Sequence, residues 1–219
     1  MHLSSQLLKG GGRLYTIEYY ETIERVRHYA QKNFTPLPNK KFYFLHDRNQ
    51  FGEGYLANYL YSKGYEIIYP IEYPFEEQLN ILANCESFAS NVGSIAHNTL
   101  FVKDGTECLF IPRTCNGVLN EYQNLINQLR NLKVSYVDSS LSILRKDGNG
   151  PYCYIVSENL RKHFNDDVSE KFSFEDFIQF VMYAEKAKSE GLSVNDEEYK
   201  YLEKVFSEFI NYFDLQIQF

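Results

Sequence analysis

Cys85–Phe101 (CESFASNVGSIAHNTLF) is the stretch on which the predicted fold depends. It begins at the end of a helical pattern, continues as a short apolar strand over Phe88–Val92 and then reaches the Gly93-Ser94 turn, after which a new helix is expected. Such a turn offers free N–H groups and the positive end of the helix dipole to an anion. An ordinary strand-to-helix loop with a polar first turn fits the same residues, and both interpretations stay open.

The chain around this stretch alternates strand and helix. Four short apolar runs predict strands, namely Lys41–His46, Tyr65–Ile68, Phe88–Val92 and Glu107–Ile111. Alternating elements with short loops favour a parallel sheet that is covered on both faces. The sequence therefore predicts an α/β fold, a Rossmann-like parallel sheet with helices on both faces, although neither the G-x-G-x-x-G fingerprint nor a P-loop is present.

Changes in composition divide the chain into three predicted parts. Residues 1–13 contain three consecutive glycines and are expected to form a flexible N-terminus. Residues 14–118 hold the alternating pattern and are expected to form the Rossmann-like domain. Residues 119–219 are expected to form a mixed extension that ends in an α-helical hairpin.

Two strongly amphipathic segments predict this hairpin. Ser173 and Asp176 form an S-x-x-D signal for the start of a helix over Phe174–Ser189. Asn195 is the expected cap of a second helix over Asp196–Phe213. The apolar faces of the pair suit packing onto the sheet domain, and they also suit a docking surface for a second copy or a partner chain.

Composition excludes several classes of protein. The 219 residues carry 22 Lys and Arg against 29 Asp and Glu, so the net charge is −7. No basic stripe offsets this charge, and nucleic acid is therefore not an expected partner. No apolar run reaches the length of a membrane span, and the N-terminus lacks the apolar segment of a secretory signal, so a cytoplasmic location is expected.

Cysteine and histidine spacing predicts no metal site. The four cysteines lack a C-x-x-C pair, and the five histidines are scattered. Free thiols in a reducing compartment are the expectation for Cys85, Cys108, Cys115 and Cys153. A Cys–His hydrolase is not expected, because a strand separates Cys85 from His97 and no third member is evident.

The glycine turn carries the first group of candidate site residues. Gly93 lets the backbone approach a ligand closely, and Ser94 suits a helix cap or a phosphate contact. Asn98 is expected one helical turn after Ser94, on the same face. Histidine as a residue type titrates near neutrality, so His97 suits a general acid or base, and it also suits a structural hydrogen bond to a nearby carbonyl.

A second group of candidates lies next to other predicted elements. Arg48 follows the first strand directly and is expected at a carboxyl end, where its fork suits phosphate, although a solvated loop arginine fits as well. Asp47 and Glu53, which opens the next helix, suit sugar or ribose hydroxyls, and they equally fit surface carboxylates, in the case of Glu53 one that stabilises the helix dipole. Arg113, just past the fourth strand, is a second candidate for a phosphate contact.

The spacing of these residues resembles the signature of glycosyltransferase family 61. That family shows Glu-Gln, an Ala seven residues after the Gln, and then G-x-H-G-A-x-x-x-N-x-x-F. Matching positions here are occupied by Gln78, Gly93, Asn98 and Phe101. The resemblance covers about residues 20 to 115, and the strand that ends at Arg48 is similar to the family's strand–Arg region.

Three positions in the G-x-H-G-A part of the signature depart from the family pattern. Ser90 replaces its first Gly, Val92 its His and Ser94 its Ala. The usual motif histidine is therefore missing. His97, just before the motif Asn, is the candidate substitute.

The resemblance implies a GT-B fold, in which two Rossmann-like domains enclose a nucleotide-sugar that is held mainly by the C-terminal domain. It also implies metal-independent transfer with inversion and no cofactor, the nucleotide-sugar being a substrate. This chain corresponds to the C-terminal, donor-binding half with a helical tail. The acceptor-binding half is then expected from a partner chain, unless the protein is a shortened relative.

We therefore expect a bacterial glycosyltransferase-like protein, a hexosyl- or pentosyltransferase that moves sugar from a nucleotide-sugar to a glycan acceptor in surface or capsular polysaccharide synthesis. Catalytic roles are expected for His97, Asp47 and Glu53. Donor and phosphate contacts are expected from Arg48, Gly93, Ser94, Asn98, Gln78 and Arg113. The alternative is a non-catalytic nucleotide-sugar-binding or assembly module that needs a partner for the N-terminal half.

Overall fold

A computed structural model gives the fold of the chain. It describes residues 9–10, 13–14, 17–33, 36–45, 50–113, 121–142, 151–189 and 196–215. The chain divides into two compact units, and neither is continuous in sequence. The sheet unit comprises Met1–His46, Leu60–Ile111 and Val118–Tyr136, and the helical unit comprises Asp47–Tyr59, Pro112–Gly117 and Val137–Phe219.

The described residues form seven strands and seven α-helices. The strands are β1 (Lys9–Gly10), β2 (Arg13–Leu14), β3 (Lys41–Phe44), β4 (Glu66–Ile68), β5 (Ser87–Asn91), β6 (Glu107–Ile111) and β7 (Lys133–Tyr136). The helices are α1 (Ile17–Asn33), α2 (Glu53–Ser62), α3 (Phe75–Asn84), α4 (Glu121–Leu129), α5 (Glu158–His163), α6 (Phe174–Ser189) and α7 (Asp196–Phe213). Pro70–Glu72 and Ser94–Phe101 are 3₁₀-helices.

The sheet unit contains a five-stranded sheet in the order β4-β3-β5-β6-β7, and every neighbouring pair is parallel. Phe42, Phe44, Phe88 and Phe110 are fully buried in one core cluster of this unit. Strands of a parallel sheet are buried on both faces, which explains why they read as continuous apolar runs in the sequence. The predicted α/β fold with a Rossmann-like parallel sheet is confirmed.

The strand order reverses next to β3. The chain runs from β3 outward to β4 and then returns to form β5 on the other side of β3. In open α/β sheets, ligands bind in the crevice outside the carboxyl ends of the strands at such a reversal. The loops that follow β3 and β5 are therefore the expected position of a site in this unit.

The sheet extends beyond the predicted domain boundary at residues 118 and 119. β7 pairs in parallel with β6, from Glu107 opposite Lys133 to Phe110 opposite Tyr136. α4 connects the two strands as the crossover that a parallel pair requires. The part of the chain up to Tyr136 thus belongs to the sheet unit.

Within the sheet unit, an ion pair with a buried arginine joins α1 to the residue that follows α4. Arg130 is fully buried, and its guanidinium pairs with Glu24 of α1 while its Nε donates to the Leu100 carbonyl at 2.7 Å. Burial by itself raises the pKa of Glu24, but hydrogen bonds from Arg27 and Arg130 outweigh burial and hold that pKa below its usual value. The pair therefore contributes stability while Glu24 is ionised.

The helical unit is organised around the α6–α7 hairpin, as the sequence predicted. Its core contains Phe180, Leu202 and Phe209 together with Cys153. The N-terminus of α6 is capped by Ser173, whose hydroxyl accepts from the Asp176 amide at 3.1 Å; the Asp176 Oδ2 in turn accepts from the Ser173 amide at 2.8 Å. The predicted cap Asn195 lies outside the described residues. Among the described residues, no helix combines the length and the apolar character needed to cross a bilayer.

Candidate functional site

The Gly93 turn lies directly after β5, one of the two strands that flank the reversal in strand order. Gly93 has φ 149° and ψ −163°, a combination that is essentially restricted to glycine. Its carbonyl accepts from the Ala96 amide at 3.0 Å, and the Val92 amide donates to the Ile111 carbonyl at 2.8 Å. Backbone hydrogen bonds therefore fix the residues before and after Gly93, and its φ and ψ angles require glycine at this position.

The helix after this turn is 3₁₀ rather than α, and this changes which residues share a face. A 3₁₀-helix has three residues per turn, so residues i and i+3 lie above one another. In Ser94–Phe101, Ser94 therefore shares a face with His97, and Asn98 lies about a third of a turn away. The expectation that Ser94 and Asn98 share a face is wrong, because it assumed 3.6 residues per turn.

The three polar side chains after Gly93 differ in their exposure. Ser94 is exposed, whereas His97 and Asn98 are partly buried. The Nε2 atom of His97 is itself shielded from solvent. Ser94 is thus an accessible side-chain donor at this turn. The first N–H groups of a 3₁₀-helix have, by geometry, no partner inside the helix.

Gln78 has a structural task. Its Nε2 donates to the carbonyls of Pro70 and Tyr73, both at 2.8 Å. These two bonds use both N–H groups of the amide and hold the 3₁₀ turn that precedes α3. In the structure, Gln78 therefore stabilises this turn. Its expected contact with the nucleotide-sugar donor stays a prediction.

Sequence reasoning missed a set of buried polar residues that supports the glycine turn. Asn91, at the end of β5, is buried, and its Oδ1 accepts from the Tyr43 hydroxyl at 3.4 Å. Thr99 donates to the Ala96 carbonyl at 2.7 Å and accepts from Nε2 of the buried Gln123 at 3.1 Å. The signal in the sequence was the pair Ser90-Asn91, which is polar at the end of an otherwise apolar strand.

Two further predicted site residues belong to the helical unit. Glu53 opens α2 and is fully buried, and the Arg113 guanidinium lies over the ring of Tyr152 at 5.3 Å. Burial and the neighbouring Glu53 carboxylate raise the pKa of Tyr154 well above its usual value, so its phenol stays protonated. The structure thus groups Glu53 and Arg113 with two tyrosines that sequence reasoning did not select.

Asp47 and Arg48 lie outside the described residues. They follow β3, the second strand at the reversal, so their candidacy rests on this position in the chain.

The part of the chain that the structure describes contains no reactive thiol and no cluster of metal-binding side chains. Cys85, Cys108 and Cys153 are free and buried, and Cys115 lies outside it. Burial raises the pKa of Cys108 to about 12, so this thiol stays protonated at neutral pH. No group of three or more His, Cys, Asp or Glu side chains with metal-binding geometry occurs among the described residues.

Comparison with known proteins assigns no family to the chain. A scan against protein-family models gives no match, and a search of curated proteins gives no match. The function is therefore argued from the fold and from the residues at the glycine turn.

Proposed function

We propose that this protein is glycosyltransferase-like and uses a nucleotide-sugar donor, whose sugar it transfers to a glycan acceptor in surface polysaccharide synthesis. The observation that carries the proposal is the position of Gly93: its glycine-specific turn follows β5 at the reversal in strand order. Phosphate groups bind at such positions because free N–H groups converge there. The resemblance of residues 20 to 115 to glycosyltransferase family 61 supports the choice of donor.

In this proposal, the diphosphate of the nucleotide-sugar binds at the Gly93 turn. The N–H groups at the start of the 3₁₀-helix and the exposed hydroxyl of Ser94 are donors for phosphate oxygens. Asn98 adds an amide close by, and Arg48 follows the neighbouring strand β3 in the chain. A side chain at position 93 would disfavour the backbone conformation that presents these donors.

The proposed reaction is a displacement at the anomeric carbon of the donor sugar. An acceptor hydroxyl forms the new C–O bond, the bond to the diphosphate oxygen breaks, and the nucleoside diphosphate leaves with the electron pair. The acceptor proton passes to a base, for which Asp47, which follows β3 in the chain, is the carboxylate candidate; Glu53 is fully buried and is not accessible to an acceptor. Donors at the glycine turn would stabilise the charge that develops on the leaving diphosphate.

One observation favours a second candidate, a nucleotide-sugar-binding module without catalysis of its own. The family histidine is replaced by Val92, and the Nε2 atom of the proposed substitute His97 is shielded from solvent. A shielded nitrogen is poorly placed to exchange a proton with a substrate. In this candidate His97 supports the 3₁₀-helix, and the turn binds the donor for a partner chain.

Calorimetric titration with UDP, GDP, CDP and ADP and with their common sugar conjugates tests the binding step. One nucleotide should bind to the wild type and lose at least tenfold in affinity in Gly93→Ala. Gly105→Ala is the matched control, because Gly105 also has a positive φ, 77°, and its Cβ would meet no atom within 4 Å. Binding that survives Gly93→Ala, or the absence of binding to every nucleotide, contradicts both candidates.

Turnover then separates the two candidates. With the bound donor in excess, release of nucleoside diphosphate should be measurable for a transferase, and Asp47→Asn should reduce it while leaving donor affinity within about threefold. Donor binding without release, unchanged in His97→Ala, supports the binding module.

A further inference from the structure

α6 presents a row of large apolar side chains to solvent. Phe174, Ile178 and Met182 are 55%, 39% and 50% exposed, and they are four residues apart. On an α-helix this spacing places side chains in one ridge along the surface. The buried residues of α6 lie on the opposite face, namely Asp176, Phe180, Tyr183 and Ala187. The exposed row is therefore additional to the face that forms the core of the helical unit.

Phe174, the first member of the row, is held in place by contacts with other aromatic rings of α6 and α7. The Phe174 ring meets the Phe213 ring of α7 edge-on, with centroids 5.8 Å apart, and it lies 5.9 Å from the ring of Phe177. Phe177 in turn packs against Phe209 at 5.5 Å. An aromatic side chain that is already ordered loses little conformational entropy on binding, which is the property of an interface anchor.

The row is complementary to itself when two copies of α6 run antiparallel. With Ile178 at the crossing point, Phe174 of each copy faces Met182 of the other. Methionine sulfur makes favourable contacts with aromatic rings, and the flexible side chain adapts to the surface that it meets. Ridges of residues four apart pack into one another in the commonest class of helix crossing.

Charges at the two ends of the row agree with the same pairing. Glu185 is exposed and lies three residues beyond Met182, and Lys171 lies three residues before Phe174. In the antiparallel pair each Glu185 comes to the end of the second copy where Lys171 precedes α6, so opposite charges meet at both ends. About half of the Lys171 side chain is exposed, although its Nζ also reaches Glu208 of its own chain at 3.1 Å. A parallel pair would instead bring like charges together.

We propose that α6 is a self-association surface, through which two copies of this chain form a dimer with twofold symmetry. The same patch serves both copies, as in the commonest class of soluble oligomers. The proposal does not depend on the nucleotide-sugar function.

Sedimentation velocity over a hundredfold range of protein concentration tests this proposal. The wild type should shift from monomer to dimer, and Ile178→Glu should stay monomeric, because it places two carboxylates at the crossing point. Ile71→Glu is the matched control: Ile71 is 97% exposed in the sheet unit, so the same substitution there should leave the shift unchanged. Circular dichroism of each variant establishes that the helices are retained.

A crosslinking experiment tests the symmetry. In a Cys115→Ser background, a cysteine introduced as Ile178→Cys should form dimers with a short bis-maleimide, because a residue at the twofold axis meets its own copy. The same reagent should crosslink Ile71→Cys poorly. A monomeric wild type overturns the proposal, and so does a dimer that is broken by Ile71→Glu and kept by Ile178→Glu.

Discussion

Gly52 and Gly54 are two residues apart, and alanine should have opposite effects at the two positions. Gly52 has φ 71°, and a Cβ built there would lie 1.9 Å from the backbone carbonyl oxygen of Tyr154. No rotamer can relieve that contact, because the backbone fixes the position of a Cβ and the oxygen belongs to the main chain. Gly54 is exposed in the first turn of α2, and a Cβ there meets nothing within 4 Å.

The expected loss of stability in Gly52→Ala follows from the backbone hydrogen bonds that the substitution disturbs. The Phe51 amide donates to the Tyr152 carbonyl at 3.0 Å, and the Tyr154 amide donates to the Phe51 carbonyl at 2.9 Å. Moving the Tyr154 carbonyl away disturbs both bonds, at about 1 kcal/mol each, and the left-handed backbone adds about 1–2 kcal/mol for a residue with a Cβ. We therefore expect Gly52→Ala to lower the free energy of unfolding by about 3–4 kcal/mol. Gly54→Ala should raise it by about 0.5 kcal/mol, because alanine is the better helix former.

Urea unfolding measures the difference. The chain contains no tryptophan, so far-UV circular dichroism and tyrosine fluorescence are the signals to follow. With a slope of about 2 kcal/mol per molar urea, the midpoint of Gly52→Ala should fall by about 1.5–2 M, and that of Gly54→Ala should rise slightly. A midpoint for Gly52→Ala within about 0.5 M of the wild type would refute the close contact between Gly52 and Tyr154.

Three further predictions concern other buried groups. Glu24→Gln leaves the buried Arg130 without its main counter-charge and should lower the free energy of unfolding at pH 7 by about 3 kcal/mol. The folded-state pKa of Glu24 lies below its unfolded value of 4.5, so its contribution is present above pH 4.5 and is lost as pH falls through the folded-state pKa. Gln78→Ala should cost about 1–2 kcal/mol and speed amide exchange in the turn before α3. At pH 8 iodoacetamide should leave the described thiols unmodified until urea is added, as peptide mapping would show for Cys85, Cys108 and Cys153.

Each of these predictions has an opposing result. A Glu24→Gln variant as stable as the wild type at pH 7 would show that Arg130 is solvated in the native protein. Unchanged exchange in Gln78→Ala would show that the two carbonyl contacts do not hold the turn. Rapid native modification of Cys108 would contradict its burial and its raised pKa.

The helical hairpin and the parallel sheet could be predicted because their signals are local. Buried strands of four or five residues read as apolar runs, and α6 and α7 carry apolar residues at helical spacing. The fifth strand was assigned to the wrong side of a boundary, because Lys133–Tyr136 is short, begins with a charged residue and is only partly buried. Its partner β6 identifies it as part of the sheet.

The candidate site was predictable in its position and less so in its geometry. Gly93 followed a strand in the sequence, and the structure places it there with a backbone that requires glycine. The 3₁₀ character of Ser94–Phe101 was not predictable, because it depends on buried contacts such as that from Gln123 to Thr99. The same holds for Gln78, whose carbonyl partners exist only once the turn before α3 has formed.

The sequence by itself determined that this chain alternates strand and helix, that it ends in two amphipathic helices and that a glycine turn follows the third predicted strand. Each of these features depends on residues within a few positions of one another. Only the tertiary structure decided the strand order, the face that Ser94 shares with His97, and the burial of Glu53 beside Tyr154. Those features depend on segments that are distant in sequence, such as Gln50 and Tyr152, which are 102 residues apart and joined by a hydrogen bond of 2.7 Å. No local pattern of apolar residues encodes which distant segments will meet.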